Sequence, residues 1–225
     1  MSASIPPPTQ VLTLVFLAWA AGTIVLAAVS RFFGEIGPGH FKVMWLVGAG
    51  ISFAAGFGYR PSFAIAGLCL ITFMTIYTDS DKYTGLLTAA ASLVALGAGT
   101  DLRPEAFAVA LLLGAVSNAM LLGHWHLNQP RLGTKPIARL VWILWAGIVA
   151  YLAVTGAILA HPKGVQGLGA VTGLAFAAFC LILTAMVHHL VRTRSIMSAT
   201  GILYLEILMC LVAAFSGTLA ALAGP

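Results

Sequence analysis

The sequence predicts an all-α protein, a polytopic helical bundle embedded in a membrane, on the strength of three observations. The 225-residue chain is 60% hydrophobic and only 8% charged, with a mean hydropathy of +1.02, whereas a soluble domain carries about 25% charged residues. The apolar residues form long continuous runs, not the alternating pattern of a transmembrane barrel strand. Prolines fall between these runs, where helices begin or end.

The apolar runs predict about eight transmembrane helices, because a helix needs about 20 apolar residues to cross the hydrocarbon core. In chain order the predicted segments are Val11–Ser30, Val43–Gly58, Ser62–Thr78, Tyr83–Thr100, Ala106–Leu127, Leu140–Ala160, Gly167–Val191 and Ser195–Ala223. Pro61, Pro104, Pro136 and Pro162 lie at the joints. The second, third and fourth segments are short, so six or seven spans would also fit the pattern.

We expect one transmembrane domain over residues 1–225, with an irregular N-terminal tail at residues 1–10. No Lys or Arg precedes the first apolar run, unlike the basic start of a cleaved secretory signal. The first segment is therefore expected to be a permanent helix. Cys69, Cys180 and Cys210 lie inside apolar runs without Cys-x-x-Cys spacing, and we interpret them as small packing residues.

The distribution of Lys and Arg predicts the orientation. Loops after odd-numbered segments hold eight basic residues, namely Arg31, Lys42, Lys82, Arg131, Lys135, Arg139, Arg192 and Arg194. Loops after even-numbered segments hold three, namely Arg60, Arg103 and Lys163. Since basic loops stay on the cytoplasmic side, the loops after odd-numbered segments are expected to be cytoplasmic in an inner membrane. The basic residues are scattered between apolar runs, so the net charge of +5 does not indicate nucleic-acid binding.

Two pairs of histidines mark the predicted site. His124 and His126 come at the end of the fifth segment, and His188 and His189 near the end of the seventh. These two segments run in the same direction, because one segment separates them. Both pairs are therefore expected at the same membrane face and at similar depths.

Helical geometry favours His124 and His188 as an inward-facing pair. Successive residues of a helix are rotated by about 100°, so His124 and His126 point to roughly opposite sides. Small residues share a face with each chosen histidine: Gly114 and Ser117 with His124, and Gly173, Ala177 and Thr184 with His188. His126 and His189 would then be neighbours of the site or contacts of lipid headgroups.

Several kinds of chemistry fit these histidines. Two imidazoles can ligate a b-type haem from opposite sides of the iron, with Arg131 and Arg192 available to pair with its propionates. Histidine and arginine can instead hydrogen-bond a quinone near the interface and supply protons. A zinc site would need further ligands, and His40 is the only other histidine predicted at this face. Histidines are also acceptable as ordinary interfacial residues.

Glu206 is the only acidic residue predicted well inside a span. It lies about 11 residues into the eighth segment, near mid-depth at about 1.5 Å per residue. A carboxylate is costly to ionise there and should face the bundle, so we expect a neutral group that acts as a proton relay or a polar anchor. Asn118, in the middle of the fifth segment, is expected to bridge helices.

These features predict an integral membrane subunit of an electron-transfer complex, with a haem b or quinone-contacting site near the cytoplasmic face. Partner subunits and membrane lipids are the expected partners, because the short loops leave no soluble module. Two alternatives stay open: a small proton-coupled transporter with Glu206 and Asn118 at the midplane, and a purely structural subunit. No nucleophile–base pair or phosphate-binding loop favours a self-contained enzyme, so any catalysis would belong to an oxidoreductase complex.

Overall fold

The protein is helical throughout the part of the chain that the computed structural model describes, residues 6–56, 82–129, 131–160 and 165–223. These residues contain no strand. They form α1 (Pro8–Ser30), α2 (Pro38–Gly56), α3 (Lys82–Thr100), α4 (Pro104–Trp125), α5 (Lys135–Ala160), α6 (Val165–Arg192) and α7 (Ile196–Leu222), with a 3-10 turn, Arg31–Phe33, after α1. The predicted all-α class is confirmed.

Six of these helices, all except α2, are long and apolar enough to cross a membrane. The chain is thus a multi-pass membrane protein whose outer helix faces contact lipid. The predicted third segment, 62–78, lies outside the described residues, together with Arg60, Cys69, His161 and Lys163.

Proline sets several of the helix starts. Pro8, Pro38 and Pro104 are the first residues of α1, α2 and α4, where the missing N–H is not needed for an intrahelical bond. Helix α1 therefore begins inside the tail that was expected to be irregular up to residue 10. Asp101 and Leu102, with φ of 52° and 56°, make the tight turn from α3 into α4.

One end of the bundle carries every histidine of the described chain. Helices α1, α4 and α6 end there, and α2, α3, α5 and α7 begin there; we call it the histidine end. Close contacts establish these directions, since Gly39 lies against the Trp125 ring and Gly85 lies beside Trp45.

The basic residues concentrate at the histidine end. Those placed there are Arg31, Lys42, Lys82, Arg131, Lys135, Arg139, Arg192 and Arg194. Arg103 lies at the opposite end, where it pairs with Glu105 at 3.7 Å. The predicted charge asymmetry is therefore present in the described helices.

Helices α4 to α7 form a four-helix bundle. Helix α4 packs against α5 and α7, and α6 packs against the same two helices, so α4 and α6 lie on a diagonal. Helix α1 packs along the outer side of α4, and α2 and α3 pack on α1.

Glycine allows the backbones of α1 and α4 to touch. A Cβ atom added to Gly22 would overlap the carbonyl oxygen of Ala110, and one added to Gly114 would overlap the backbone of Gly22. Asn118 Nδ2 ties the same two helices by donating to the carbonyl oxygens of Thr23 at 3.1 Å and Gly114 at 2.8 Å. The expectation that Asn118 bridges helices is confirmed.

Small residues also bring α6 and α7 together. Gly169 lies against the backbone of Ser216, and Gly173 lies against the backbone nitrogen of Gly217. The Tyr151 hydroxyl of α5 reaches this interface and donates to the carbonyl oxygen of Ala213. Gly169 and Gly173, which are four residues apart on one face of α6, thus serve packing within the chain.

Candidate functional site

The four predicted histidines differ in their exposure. His124 is exposed in the last turn of α4, and His189 is exposed on α6, whereas His126 and His188 are half-buried. The prediction that His124 faces the interior is therefore wrong. Gly114 and Ser117, the small residues on the same face of α4, contact α1. His124 lies nearer the end of α4, beyond the level at which α1 ends.

The space between α4 and α6 at the histidine end is filled by the apolar core. The buried side chains that belong to this end are Leu122, Leu140, Leu144, Val187, Val191, Ala199 and Leu203. A core packed at ordinary protein density leaves few voids larger than a water molecule. His124 and His188 therefore do not form the inward-facing pair that a haem between α4 and α6 would require.

His188 instead lines an open groove between α5 and α6. Its ring makes a T-shaped contact with Trp142, with centroids 5.0 Å apart and an interplanar angle of 84°. Trp145, His189 and Arg192 line the same groove, which has a volume of about 480 Å³. Three of the predicted site residues are thus brought together, on the outer side of the bundle.

The composition of this groove suits a flat, partly polar ligand. Indole rings offer faces and edges for aromatic stacking, and imidazole and guanidinium groups donate hydrogen bonds to carbonyl oxygens. Arg131 is exposed in the loop between α4 and α5 and does not line the groove.

His126 and His40 lie on the other side of the histidine end. The Nδ1 atom of His126 is 2.9 Å from the Leu122 carbonyl oxygen; since a carbonyl only accepts, Nδ1 carries the proton. The Nε2 atoms of both histidines are buried without a hydrogen-bond partner. Burial, with a smaller contribution from His126, lowers the pKa of His40 to about 4, so His40 is neutral at pH 7.

Hydrogen bonds of the Gln129 side chain connect the loop after α4 to the loop before α2. Its Oε1 accepts from the backbone nitrogen of Gly37 at 3.1 Å and from Trp125 Nε1 at 3.3 Å. Its Nε2 donates to the carbonyl oxygen of Glu35 at 2.9 Å. These bonds fix the entry to α2, and with it the buried ring of His40.

Glu206 is fully buried between α6 and α7. The Thr184 hydroxyl of α6 donates to its Oε1, and its Oε2 has no hydrogen-bond partner. The expected inward orientation is thus confirmed. Asn118, by contrast, bonds to α1 and α4, so these two polar residues do not make a common site.

The sequence interpretation missed two tryptophans of the groove. Neither Trp142 nor Trp145 was among the predicted site residues. The available signal was the antiparallel arrangement: α5 begins at the end of the bundle where α6 ends, so Trp142 in the third turn of α5 lies near the level of His188 in the last turns of α6.

Among the described residues, no three His, Cys, Asp or Glu side chains are grouped as a metal site. The most complete combination of functional groups is therefore the groove lined by Trp142, Trp145, His188, His189 and Arg192. Comparison of the chain with protein-family models, characterised proteins and solved structures found no match.

Proposed function

We propose that this chain is a membrane subunit of an electron-transfer complex that offers a quinone-contacting site in the groove between α5 and α6. The observation that carries the proposal is the contact of Trp142 with the half-buried His188, beside His189 and Arg192. A quinone ring can stack on an indole while its carbonyl oxygens accept hydrogen bonds from imidazole or guanidinium groups.

The location of the groove supports a ligand that diffuses in the membrane. It lies on the outer surface of two membrane-spanning helices, a few residues from the end of α6. A quinone could therefore enter from the lipid without crossing the packed core. The chain's own contribution is to position the ring and exchange protons at its carbonyl oxygens, and partner subunits would supply the electrons.

We assign the histidine end to the cytoplasmic side of an inner membrane. The support is the excess of Lys and Arg at this end, because basic residues near helix ends favour cytoplasmic retention. The groove would then exchange protons with the cytoplasm.

A labelling experiment tests this orientation. A single cysteine at Asn128, an exposed position in the loop after α4, should resist a membrane-impermeant maleimide in intact cells and react once the cells are opened. The control is a cysteine at exposed Leu102, in the turn at the opposite end, which should react in intact cells. The reverse pattern would contradict the assignment.

Quinone binding is tested with a short-chain quinone analogue and the purified protein in nanodiscs. His188→Ala removes a hydrogen bond worth about 1 kcal/mol, and Trp142→Leu removes ring contact worth about 0.5–1.5 kcal/mol. Each change should raise Kd by roughly 3- to 10-fold, and the double variant more. Isothermal titration measures the change.

His124→Ala is the matched control, because His124 is an exposed histidine of the same end that lies outside the groove. It should leave Kd unchanged, and a photoreactive quinone should label peptides of α5 or α6. Equal affinities in all variants, or labelling confined to other helices, would contradict the proposal.

Haem b is the other cofactor that histidines near the end of a transmembrane helix suggest. The absorption spectrum of the purified protein in nanodiscs tests whether haem is bound. A dithionite-reduced spectrum with Soret and α bands that disappear in His188→Ala would favour haem over quinone. A colourless protein that binds quinone would favour the groove.

A proton-coupled transporter is the second candidate, because one observation specifically favours it. Glu206 is fully buried in the middle of α7, and its Oε2 has no hydrogen-bond partner. Intramembrane carboxyl groups of this kind commonly mark proton pathways. Under this proposal, Glu206 takes up and releases a proton beside Thr184 during transport. Substrate-dependent proton flux in liposomes would support the transporter over the quinone-contacting subunit.

A further inference from the structure

His40 is a buried titratable side chain that the proposed quinone groove does not use. It lies in the first turn of α2 and is only 1% exposed, and its Nε2 atom has no hydrogen-bond partner among the described residues. Its ring makes T-shaped contacts with Phe41, at 5.5 Å between centroids, and with Trp125 of α4, at 5.9 Å. This enclosure suits only a neutral imidazole, because a buried charge needs water or a hydrogen-bonding partner of opposite charge.

The described groups around this imidazole offer no negative charge to balance a second ring proton. Helix α1, on which α2 packs, has no ionisable side chain, and the turn after it contributes the cation of Arg31. Helix α4 contributes His126, whose own Nε2 is buried without a partner, and Lys42 follows on α2 itself. Glu35, the only acidic residue described at this end, is exposed and holds its carboxylate beside the loop between α4 and α5. A protonated His40 would therefore be a buried, uncompensated charge.

The contacts that hold the start of α2 on the end of α4 can be released without disturbing the rest of the bundle. They are the packing of Gly39 against the Trp125 ring and the hydrogen bond from the Gly37 backbone to Gln129 Oε1 at 3.1 Å, beside the ring contact of His40. Helix α2 otherwise packs on α1, outside the four-helix bundle of α4 to α7. Segments with so few buried contacts are the ones that open locally at low free-energy cost.

We propose that residues 37–45 form an acid-sensitive latch, in which protonation of His40 releases the start of α2 from α4 and uncovers Trp125 and His126. Burial, with a smaller contribution from His126, lowers the pKa of His40 from 6.5 to about 4. The docked latch thus binds fewer protons than the released one, so its stability is complete above pH 6.5 and is lost as the pH falls from 6.5 to 4. The ratio of docked to released latch should be roughly 20-fold lower at pH 5 than at pH 7.

Hydrogen–deuterium exchange of the full chain in nanodiscs measures the latch directly. After correction for the intrinsic exchange rate at each pH, the backbone amides of residues 40–45 should lose protection by roughly 20-fold between pH 7 and pH 5. The amides of residues 140–151 in the core of α5 should keep their protection. His40→Leu should give the same latch protection at both pH values, because leucine fills the apolar enclosure and takes up no proton.

His124→Ala is the matched control, since His124 is an exposed histidine of the same end, and it should keep the full response to pH. His40→Gln is a second variant that cannot titrate, for use if His40→Leu does not elute as folded protein. The proposal is overturned if the wild-type latch is equally protected at pH 7 and pH 5, or if the response survives replacement of His40. Since the readout involves neither quinone nor proton flux, its outcome is independent of the proposed function.

Discussion

Replacing Gly22 with valine is expected to abolish the folded protein. A Cβ atom at this position would overlap the carbonyl oxygen of Ala110, which is a backbone atom and cannot rotate away. Relief would require separating α1 from α4, one of the most extensive interfaces of the bundle. We expect a loss of about 3 kcal/mol or more, at the upper end of the usual cost of overpacking.

The clash also removes a polar connection. Separating the helices would lengthen the bond from Asn118 Nδ2 to the Thr23 carbonyl oxygen, and in a membrane interior no water is available to replace it. The polar and steric effects therefore act in the same direction, and Gly114→Val should behave like Gly22→Val.

Gly156 and Gly201 supply matched controls, because both lie within helices and a Cβ at either position would meet nothing within 4 Å. Gly156→Val and Gly201→Val carry the same change in helix propensity without the clash. Yield of monodisperse protein and the thermal midpoint of tryptophan fluorescence measure the outcome. If Gly22→Val melted like these controls, the close approach of α1 and α4 would be wrong.

The helices were predictable from the sequence because the signals for them are local. Apolar length and proline position determine where a membrane helix begins and ends, without knowledge of its neighbours. The predicted segment Tyr83–Thr100 matches α3 within one residue, and Gly167–Val191 matches α6 within two residues. Larger differences occur where charged or polar residues continue a helix beyond the apolar run, as at Lys135 in α5.

The arrangement of the site was less predictable, because helical periodicity gives relative angles but not the identity of the neighbour. Gly114 and Ser117 are buried as expected, yet they face Gly22 and Trp19 of α1. This face is not covered to the end of α4, because α1 ends at Ser30 and does not extend to the level of His124. His124 is consequently exposed although its angular position is close to that of Ser117.

Residues on different helices were brought together in ways that no spacing along the chain indicates. The groove combines Trp142 of α5 with His188 of α6. The interface of α6 and α7 likewise brings the sulfur atoms of Cys180 and Cys210 to 3.5 Å from each other. Each becomes visible only when the antiparallel register of two helices is known. Depth along the helix was nevertheless a useful guide, and it placed Glu206 correctly within the bundle.

Replacing Glu206 should separate its two candidate roles. Glu206→Gln keeps an oxygen that can accept the Thr184 hydroxyl, so this variant should insert and fold normally. Glu206→Leu removes the acceptor, and we expect a loss of about 1–3 kcal/mol for a buried polar group left without its partner. The thermal midpoint in detergent measures this difference.

Proton transfer distinguishes a relay from an anchor. If Glu206 relays protons, Glu206→Gln should lose turnover or proton flux while retaining assembly, because an amide cannot exchange a proton with a carrier. If Glu206 is only an anchor, Glu206→Gln should retain activity, and only Glu206→Leu should be impaired. Wild-type behaviour of both variants would contradict both roles.

The protonation state of Glu206 can be observed directly by infrared spectroscopy. A neutral acid gives a carbonyl band of the protonated carboxyl group, which should be present in the wild type at pH 7 and absent from Glu206→Gln. We expect this band because the carboxyl group is fully buried within the bundle, and its described hydrogen-bond partner is a neutral hydroxyl. An ionised carboxylate at pH 7 would require a compensating positive charge at the interface of α6 and α7, and would refute the neutral assignment on which the relay depends.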